Sequence, residues 1–350
     1  MTLKVTGDSG IDFQIAAPIT TVKVQNTSID SIKLLFAVTV VIMHGFLLDF
    51  ANPGYWVNFL VNGFFKAAVP FYFLVSGYFF YKAVERKSIK KWFYHISKIY
   101  LLWSVMYLYA LKDIINLANA SLARKVYLIF RAEFTGVVHL WFIPALIIAA
   151  SLCYLMRGQL QKRTRQALIL CVTLWMLGVI LNWTLLSAGS PNSFLFRNGI
   201  FYGTPMFILG FIVSKHHEIV MLAKIKFKTL IVISLLFVIS ESAIITTAFN
   251  HIQGNLLTSV DMMVSTPFLS LLIFILCLKR PNFNLLGHHT RVTSTFMYYS
   301  HIIFLDLFVL IIHRLWSYSD LQTDVMATVL AIMTIALMSF ALKNKIGKLV

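Results

Sequence analysis

Charged side chains, and carboxylates above all, are scarce in this sequence. Only 12% of its 350 residues are charged, and 13 Asp and Glu residues stand against 30 Lys and Arg. Apolar residues make up 59% and recur in runs of about twenty, a pattern that excludes an ordinary soluble domain and is typical of a polytopic membrane protein. The three cysteines lie inside apolar runs without metal-ligand or redox spacing, so we predict neither a disulfide nor a metal site.

Targeting signals and repeats are also missing. Residues 1–28 lack the basic patch followed at once by an apolar stretch that marks a secretory signal peptide. The chain shows no internal repeat, Pro-rich linker or low-complexity block. We therefore expect a cytoplasmic tail over residues 1–28 and a single transmembrane domain over residues 29–350.

Hydrophobic windows between charge clusters predict an all-α fold with about ten transmembrane helices. The windows are residues 31–50, 58–81, 93–111, 137–156, 166–186, 198–214, 229–248, 259–278, 292–313 and 323–342. Residues 126–134 between the third and fourth windows are interpreted either as loop or as a short interfacial helix.

The net charge of +17 is distributed in a pattern that indicates topology. Basic clusters follow the second, fourth, sixth, eighth and tenth windows, whereas the alternate loops carry few Lys or Arg, apart from the loop after the third window. By the positive-inside rule both termini are cytoplasmic. Attraction to anionic membrane lipids accounts for such charge, and nucleic acid is not an expected partner.

The first window contains two ionisable groups, Lys33 and His44. Eleven residues at 100° each return to within about 20° of the same helix face, and they separate the two groups by roughly 16 Å along the axis. Lys33 is close enough to the predicted cytoplasmic edge to snorkel. His44 lies deeper, where a histidine serves either in packing and hydrogen bonding or in handling protons.

Several sequence motifs together resemble a known family of membrane enzymes. Asp30, Lys33 and His44 in the first window are followed by Val69-Pro70 and Ser76-Gly77-Tyr78 in the second. Further similar segments are "HISKIYLLW" at 95–103, "HLWFIPAL" at 139–146, "RNGIFYGTPMFILG" at 197–210 and "YYSHIIFL" at 298–305. This order resembles the acyltransferase-3 family of bacterial membrane O-acyltransferases. One departure is Lys33, where the family usually has Arg. The Lys33 ammonium keeps the positive charge but lacks the guanidinium that binds a carboxylate or phosphate through two hydrogen bonds.

The resemblance implies an enzyme of the bacterial inner membrane that moves an acetyl group from cytoplasmic acetyl-CoA to a hydroxyl of a surface polysaccharide or its lipid-linked precursor. No permanently bound cofactor is implied. A sugar hydroxyl needs a base with a pKa near 7 to take its proton, and His44 is the candidate. Lys33 is expected to hold the acyl-CoA or stabilise developing negative charge. An acyl-histidine intermediate is the covalent alternative to direct transfer.

Other residues receive expected roles beside these two. Glu241 lies at a depth similar to His44 and is the candidate acceptor for its second ring nitrogen, with Asp306 as the competitor. Expected donor-binding residues are Ser76, Gly77, Tyr78, Lys91 and Lys98. Expected acceptor-binding residues at the outer face are His139, Trp141, Arg197 and His301, although membrane anchoring by Trp141 and core packing by His301 are alternatives.

Two other functions are consistent with a protein that has many membrane spans and charged residues inside them. A transporter or flippase is the main alternative, and a module that carries acetyl across the membrane to a partner enzyme is the second. The missing repeat symmetry argues against a typical secondary transporter. Acetylation of a glycan by the purified chain would separate the enzyme from both alternatives.

Overall fold

The computed structural model describes residues 26–47, 57, 59–116, 121–136, 139–189, 192–253, 260–316 and 318–347. Within these ranges the chain is helical and has no strand, which confirms the predicted all-α polytopic fold. The eleven longer helices are α1 (Thr27–Ile42), α2 (Ala68–Glu85), α3 (Ile89–Met106), α4 (Leu122–Thr135), α5 (Phe142–Lys162), α6 (Thr164–Ser187), α7 (Thr204–Lys215), α8 (Phe227–Gln253), α9 (Thr266–Lys279), α10 (Thr290–Leu315) and α11 (Asp320–Ala341).

Each of the ten predicted windows overlaps one of these helices. Seven helical segments in the described part of the chain are long and apolar enough to cross a membrane. Gly199–Lys215 and Thr266–Lys279 are apolar but shorter, and α3 carries basic residues along its first half. The exact number of spans therefore stays a prediction. The tail predicted over residues 1–28 lies outside the described residues, except that α1 already begins at Thr27.

Residues 126–134, interpreted from sequence as loop or interfacial helix, belong to α4. Leu122, Val126 and Phe130 are exposed at a spacing of four residues and so form one apolar stripe. Arg124 and Lys125 lie between them in sequence. An exposed apolar stripe beside basic residues is typical of a helix that lies in the membrane interface.

Small residues allow the central helices to pack closely. A methyl group added at Gly77 of α2 would overlap the carbonyl oxygen of Phe207, and one added at Gly210 of α7 would overlap the carbonyl oxygen of Leu74. The two backbones are therefore in direct contact, as small residues permit between membrane helices. On the other side of the bundle α10 packs against both α1 and α11.

The beginning of α1 is fixed to the segment that precedes α10. The Thr27 hydroxyl donates to the Pro281 carbonyl at 2.9 Å, and the Ser31 hydroxyl donates to the Phe283 carbonyl at 3.1 Å. These bonds hold Lys33 at the end of the bundle where α10 begins. Arg291 lies at the same end. We refer to this end as the inner end, because the charge pattern predicts it to face the cytoplasm.

Three π-helical turns occur at the opposite, outer end of the bundle. They are Met43–Leu47 after α1, Phe59–Phe64 before α2 and Gly199–Gly203 before α7. A π-helical turn rotates the side chains that follow it relative to a regular helix, and such turns are frequent at functional sites. His44 lies in the first turn, Lys66 follows the second, and Arg197 precedes the third.

The close contact at Gly77 generates a stability prediction. Gly77→Ala should lower the free energy of unfolding by about 1–3 kcal/mol, because a backbone carbonyl cannot move aside as a flexible side chain would. Thermal unfolding of the purified protein in detergent measures this.

The matched control is Gly158→Ala in α5, where nothing lies within 4 Å of the added methyl group. This control should leave stability unchanged or raise it by up to about 1 kcal/mol through helix propensity. Equal destabilisation by both substitutions would contradict the close packing of α2 on α7.

Candidate active site

An irregular segment, residues 260–265, enters the outer part of the bundle just before α9. Side chains from three other elements bind its backbone, since buried amides need partners where water is excluded. Asn62 and Asn182 accept hydrogen bonds from the amides of Val260 and Met262 at 3.1 and 2.8 Å. The Trp175 indole donates to the Met263 carbonyl at 2.9 Å. These bonds fix the position of the residue between them, Asp261.

Asp261 joins two cations in what we call the outer charge cluster: Lys66, Asp261 and Arg197. The Lys66 ammonium lies 2.5 Å from one carboxylate oxygen of Asp261, and the Arg197 guanidinium lies 3.4 Å from the other. Asp261 is buried and Lys66 is partly buried, with 10% of its side chain exposed, whereas Arg197 is about one-third exposed, at 32%. Arg197 also lies over the ring of Trp141, 5.0 Å from its centre. The cluster connects the segments that precede α2, α7 and α9.

Three imidazoles from three elements lie next to one another on the inner side of the outer charge cluster. The ring centres of His44 and His301 are 5.5 Å apart, and those of His301 and His139 are 4.5 Å apart. His139 and His301 are buried, while His44 is partly exposed. His44 also interacts electrostatically with Lys66, Arg197 and Asp261. We call these three residues the histidine cluster.

The hydrogen bonds of His301 define its tautomer. Its Nδ1 lies 2.8 Å from the Tyr298 carbonyl and 3.1 Å from the Met297 carbonyl. Because a carbonyl only accepts, Nδ1 carries the hydrogen and Nε2 keeps its lone pair in the neutral ring. Within the described residues, Nε2 of His301 and both ring nitrogens of His139 are buried without a hydrogen-bond partner. Buried nitrogens of this kind are available to a ligand or a transferring proton.

A cavity of about 590 Å³ opens at the inner end of the bundle. Lys33, His95 and Arg291 supply its basic side chains, and Tyr72 and Ser76 contribute hydroxyl groups. The Tyr72 hydroxyl donates to the backbone carbonyl of Lys33 at 2.9 Å, which holds α1 and α2 together along the cavity wall.

Tyr298 belongs to both the cavity and the histidine cluster. Its side chain lines the cavity. Its hydroxyl lies 3.4 Å from the backbone carbonyl of His139, and its ring centre lies 5.7 Å from that of His139 and 6.3 Å from that of His301. The inner cavity and the histidine cluster are therefore adjacent and share the Tyr298 ring.

Comparison with known proteins agrees with this arrangement. A family model described as an acyltransferase domain matches residues 26–343, nearly the whole chain. This chain belongs to the acyltransferase-3 family. Its apolar helices and its family are those of a multi-pass membrane protein, as the motif order in the sequence indicated.

A second comparison gives a shorter similarity. A protein of Enterococcus faecalis named amino-acid racemase is 30% identical over 201 residues, which are 51% of this chain and 28% of the racemase. Because so small a share of that protein is matched, its name carries no activity over to this chain. No solved structure matches the chain.

Glu241 has partners in the structure other than the expected one. Its two carboxylate oxygens accept the amides of Val264 and Ser265 at 2.7 and 2.8 Å, at the beginning of α9. No contact between Glu241 and His44 occurs in the described part of the chain. Asp306, the competitor, accepts a hydrogen bond from the Tyr109 hydroxyl at 2.8 Å. Among the described carboxylates, Asp261 interacts electrostatically with His44.

The expected donor-binding residues separate into three environments. Ser76 lines the inner cavity. Gly77 is covered by the Phe207 carbonyl, and the Tyr78 hydroxyl lies 3.2 Å from Nδ1 of His217. Lys91 and Lys98 are exposed on α3 and do not line the cavity, whereas His95 of the same helix does.

The expected acceptor residues are brought together in pairs. Trp141 and Arg197 form the outer cation–π contact, and His139 and His301 form the buried part of the histidine cluster. No group of three or more His, Cys, Asp or Glu side chains in the described ranges is arranged to hold a metal ion.

Sequence reasoning missed Lys66 and Asp261, and it assigned Arg291 only to topology. Lys66 and Asp261 are opposite charges inside apolar windows, at 58–81 and 259–278. A charge inside a membrane window is a functional signal by itself, and two opposite charges suggest a pair. That signal was sufficient to find them.

The position of Glu241 predicts a stabilising rather than a proton-handling role. Glu241→Ala should lower the free energy of unfolding by at least about 1–3 kcal/mol, because two buried amides lose their acceptor. Glu241→Gln, which keeps one carbonyl oxygen, should lose less. Unfolding measurements together with acetyl transfer per folded molecule test this.

Glu218→Gln is the control, since Glu218 is exposed on the short helix His217–Leu222. A Glu241→Gln protein of normal stability with a shifted pH–rate profile would contradict the stabilising role.

Proposed function

We propose that this chain is an O-acetyltransferase of the bacterial inner membrane. It takes acetyl from cytoplasmic acetyl-CoA and places it on a hydroxyl of a surface polysaccharide or its lipid-linked precursor. The observation that supports this most is the histidine cluster between a basic cavity at one end and a charged, aromatic site at the other. The two substrates would approach it from opposite sides.

The donor is assigned to the inner cavity. CoA carries phosphate groups, and Lys33, His95 and Arg291 are the basic side chains that line the cavity. Lys91 and Lys98, exposed on α3, add positive charge near the mouth and attract the donor at longer range. Ser76 supplies a hydroxyl along the wall.

The reaction is proton-neutral over one turnover. A neutral imidazole accepts the proton of the sugar hydroxyl while the hydroxyl oxygen attacks the thioester carbonyl carbon. The carbon–sulfur bond then breaks, and the imidazolium returns its proton to the CoA thiolate. The products are an O-acetyl ester and free CoA.

His44 is assigned as the base because it is the least buried member of the cluster and lies in the electrostatic field of the outer charge cluster. His301, with its Nε2 lone pair free, is placed to exchange a proton with His44 or to carry the acetyl group in the covalent alternative. His139, Trp141 and Arg197 are assigned to the acceptor side.

The activity itself is tested by offering labelled acetyl-CoA and a lipid-linked glycan to the purified protein. Acetylated glycan is expected from this chain alone. Uptake of label into proteoliposomes without acetylated glycan would overturn the transferase and indicate an acetyl-translocating module or a transporter.

Substitutions in the histidine cluster give the second test. His44→Ala should reduce transfer by about 10²–10⁴-fold, the usual contribution of a general base. His301→Asn should cause a comparable loss although its amide can still donate to the Tyr298 carbonyl, because the substitution removes Nε2 together with its lone pair. Transfer is measured at equal amounts of folded protein.

The matched control is His216→Asn. His216 lies at the end of α7, away from the histidine cluster, so this substitution is expected to leave transfer unchanged. Wild-type transfer by His44→Ala would remove His44 as the base. Wild-type transfer by His301→Asn would show that His301 has only a structural role, through its hydrogen bonds to backbone carbonyls.

Donor binding generates a separate prediction at Arg291. Arg291→Gln should raise the apparent KM for acetyl-CoA by about three- to tenfold, or ~0.7–1.4 kcal/mol, through the loss of one charged contact to a phosphate. The value of kcat should change little. Lys90→Gln, an exposed position on α3 outside the cavity, is the control. An unchanged KM in Arg291→Gln would assign this charge to membrane topology alone.

A further inference from the structure

We propose that the outer charge cluster binds an anionic group of the acceptor, a phosphate or a carboxylate, between Lys66 and Arg197. This inference rests on the proposed function, because that function identifies the bound ligand as the acceptor. It narrows the acceptor class from any glycan with a free hydroxyl to one that carries negative charge close to the hydroxyl to be acetylated.

The charge balance of the cluster favours an added anion. Two cations share a single carboxylate, so Lys66, Asp261 and Arg197 together carry one excess positive charge. Glu241, which binds the same irregular segment, is occupied by two backbone amides. Within the described residues, no other carboxylate forms an ion pair with Lys66 or Arg197. An uncompensated charge in an apolar bundle is costly, and a bound anion would remove that cost.

The cluster also has free hydrogen-bond donors. Lys66 has three N–H donors and makes one hydrogen bond to a described residue, Asp261. Arg197 has five donors and meets Asp261 through a single nitrogen at 3.4 Å. The rest of its planar fork matches the paired oxygens of a phosphate or carboxylate. Asp261 therefore orients both cations without using up their donors.

Trp141 fixes Arg197 and makes the site suitable for a sugar. The guanidinium lies 5.0 Å from the centre of the Trp141 ring, and Trp141 packs edge-on against Tyr202 at 5.5 Å. A guanidinium stacked on an indole keeps its edge free for an anion. Trp141 is only partly buried, so its surface is accessible to a sugar ring beside the bound anion.

The site is placed to orient an acceptor for the reaction. His44 is within electrostatic range of all three members of the cluster. An acceptor anchored through its anion would present a neighbouring hydroxyl to His44, and the anchoring would contribute to catalysis through orientation.

The experiment measures binding without requiring turnover. Purified protein is titrated at low ionic strength with glucose 1-phosphate, methyl glucuronide and neutral methyl glucoside, and thermal stabilisation reports binding. We expect stabilisation by at least one of the two anionic sugars and at least tenfold weaker binding of the neutral sugar. The phosphate and carboxylate arms tell which anion the site prefers. Equal stabilisation by all three sugars would overturn the proposal.

Two variants are expected to change the effect of the anionic sugar in opposite directions, and a third variant is the control. Arg197→Gln should weaken binding of the anionic sugar by at least tenfold, whereas Arg124→Gln on the exposed helix α4 should not change it. Asp261→Asn removes the internal competitor, so this variant should be less stable alone but should gain more stability from the anionic sugar than the wild type does. If Asp261→Asn does not fold, Arg197→Gln still decides, and unchanged binding in that variant would refute the site.

Failure of this inference is distinguishable from failure of the proposed function. Anion binding without acetyl transfer would support the site and refute the transferase assignment. Acetyl transfer to a neutral glycan, with no charge preference in binding or in KM, would support the transferase and refute the anion site.

Discussion

The ion pair between Lys66 and Asp261 is the constraint on which the outer half of the molecule depends. An unpaired ammonium or carboxylate inside an apolar bundle costs several kcal/mol, so each requires the other in place. Asp261 reaches Lys66 only because residues 260–265 run as an irregular segment, and that segment persists only because Asn62, Asn182 and Glu241 bind its amides. Charge pairing and backbone hydrogen bonding therefore stabilise the same structure.

Irregular backbone is concentrated where the site is built. Regular helices satisfy their own amides and pack through small residues, as Gly77 and Gly210 do between α2 and α7. At the outer end, three π-helical turns and the segment before α9 depart from that regularity. Such departures are stable in a membrane only when protein covers them. The rigid part of the bundle thus supports the part that positions the chemistry.

The sequence predicted well what depends on hydrophobic patterning and poorly what depends on distant pairing. All ten windows coincide with helices, because apolar length is a local property. His44, His301, Trp141 and Arg197 were singled out from the sequence since polar groups stand out in apolar runs, and their roles stay predictions. Lys66 and Asp261 were missed as a pair because 195 residues separate them. Glu241 was given a partner by depth alone, yet its partners are set by an irregular segment that no periodicity predicts.

The arrangement of rings between the two ends also bears on how water is excluded. Tyr298 closes the inner cavity against the histidine cluster, and His301 is fully buried behind it. In the proposed reaction, this layer would separate the thioester from water at the outer end, which would favour transfer to a hydroxyl over hydrolysis. The hydrogen bonds of His301 to two backbone carbonyls keep its ring in one orientation, so that its lone pair is pre-organised and needs no rearrangement when the proton moves. In the proposed reaction, the cations at each end bind substrates and the neutral layer between them performs the chemistry.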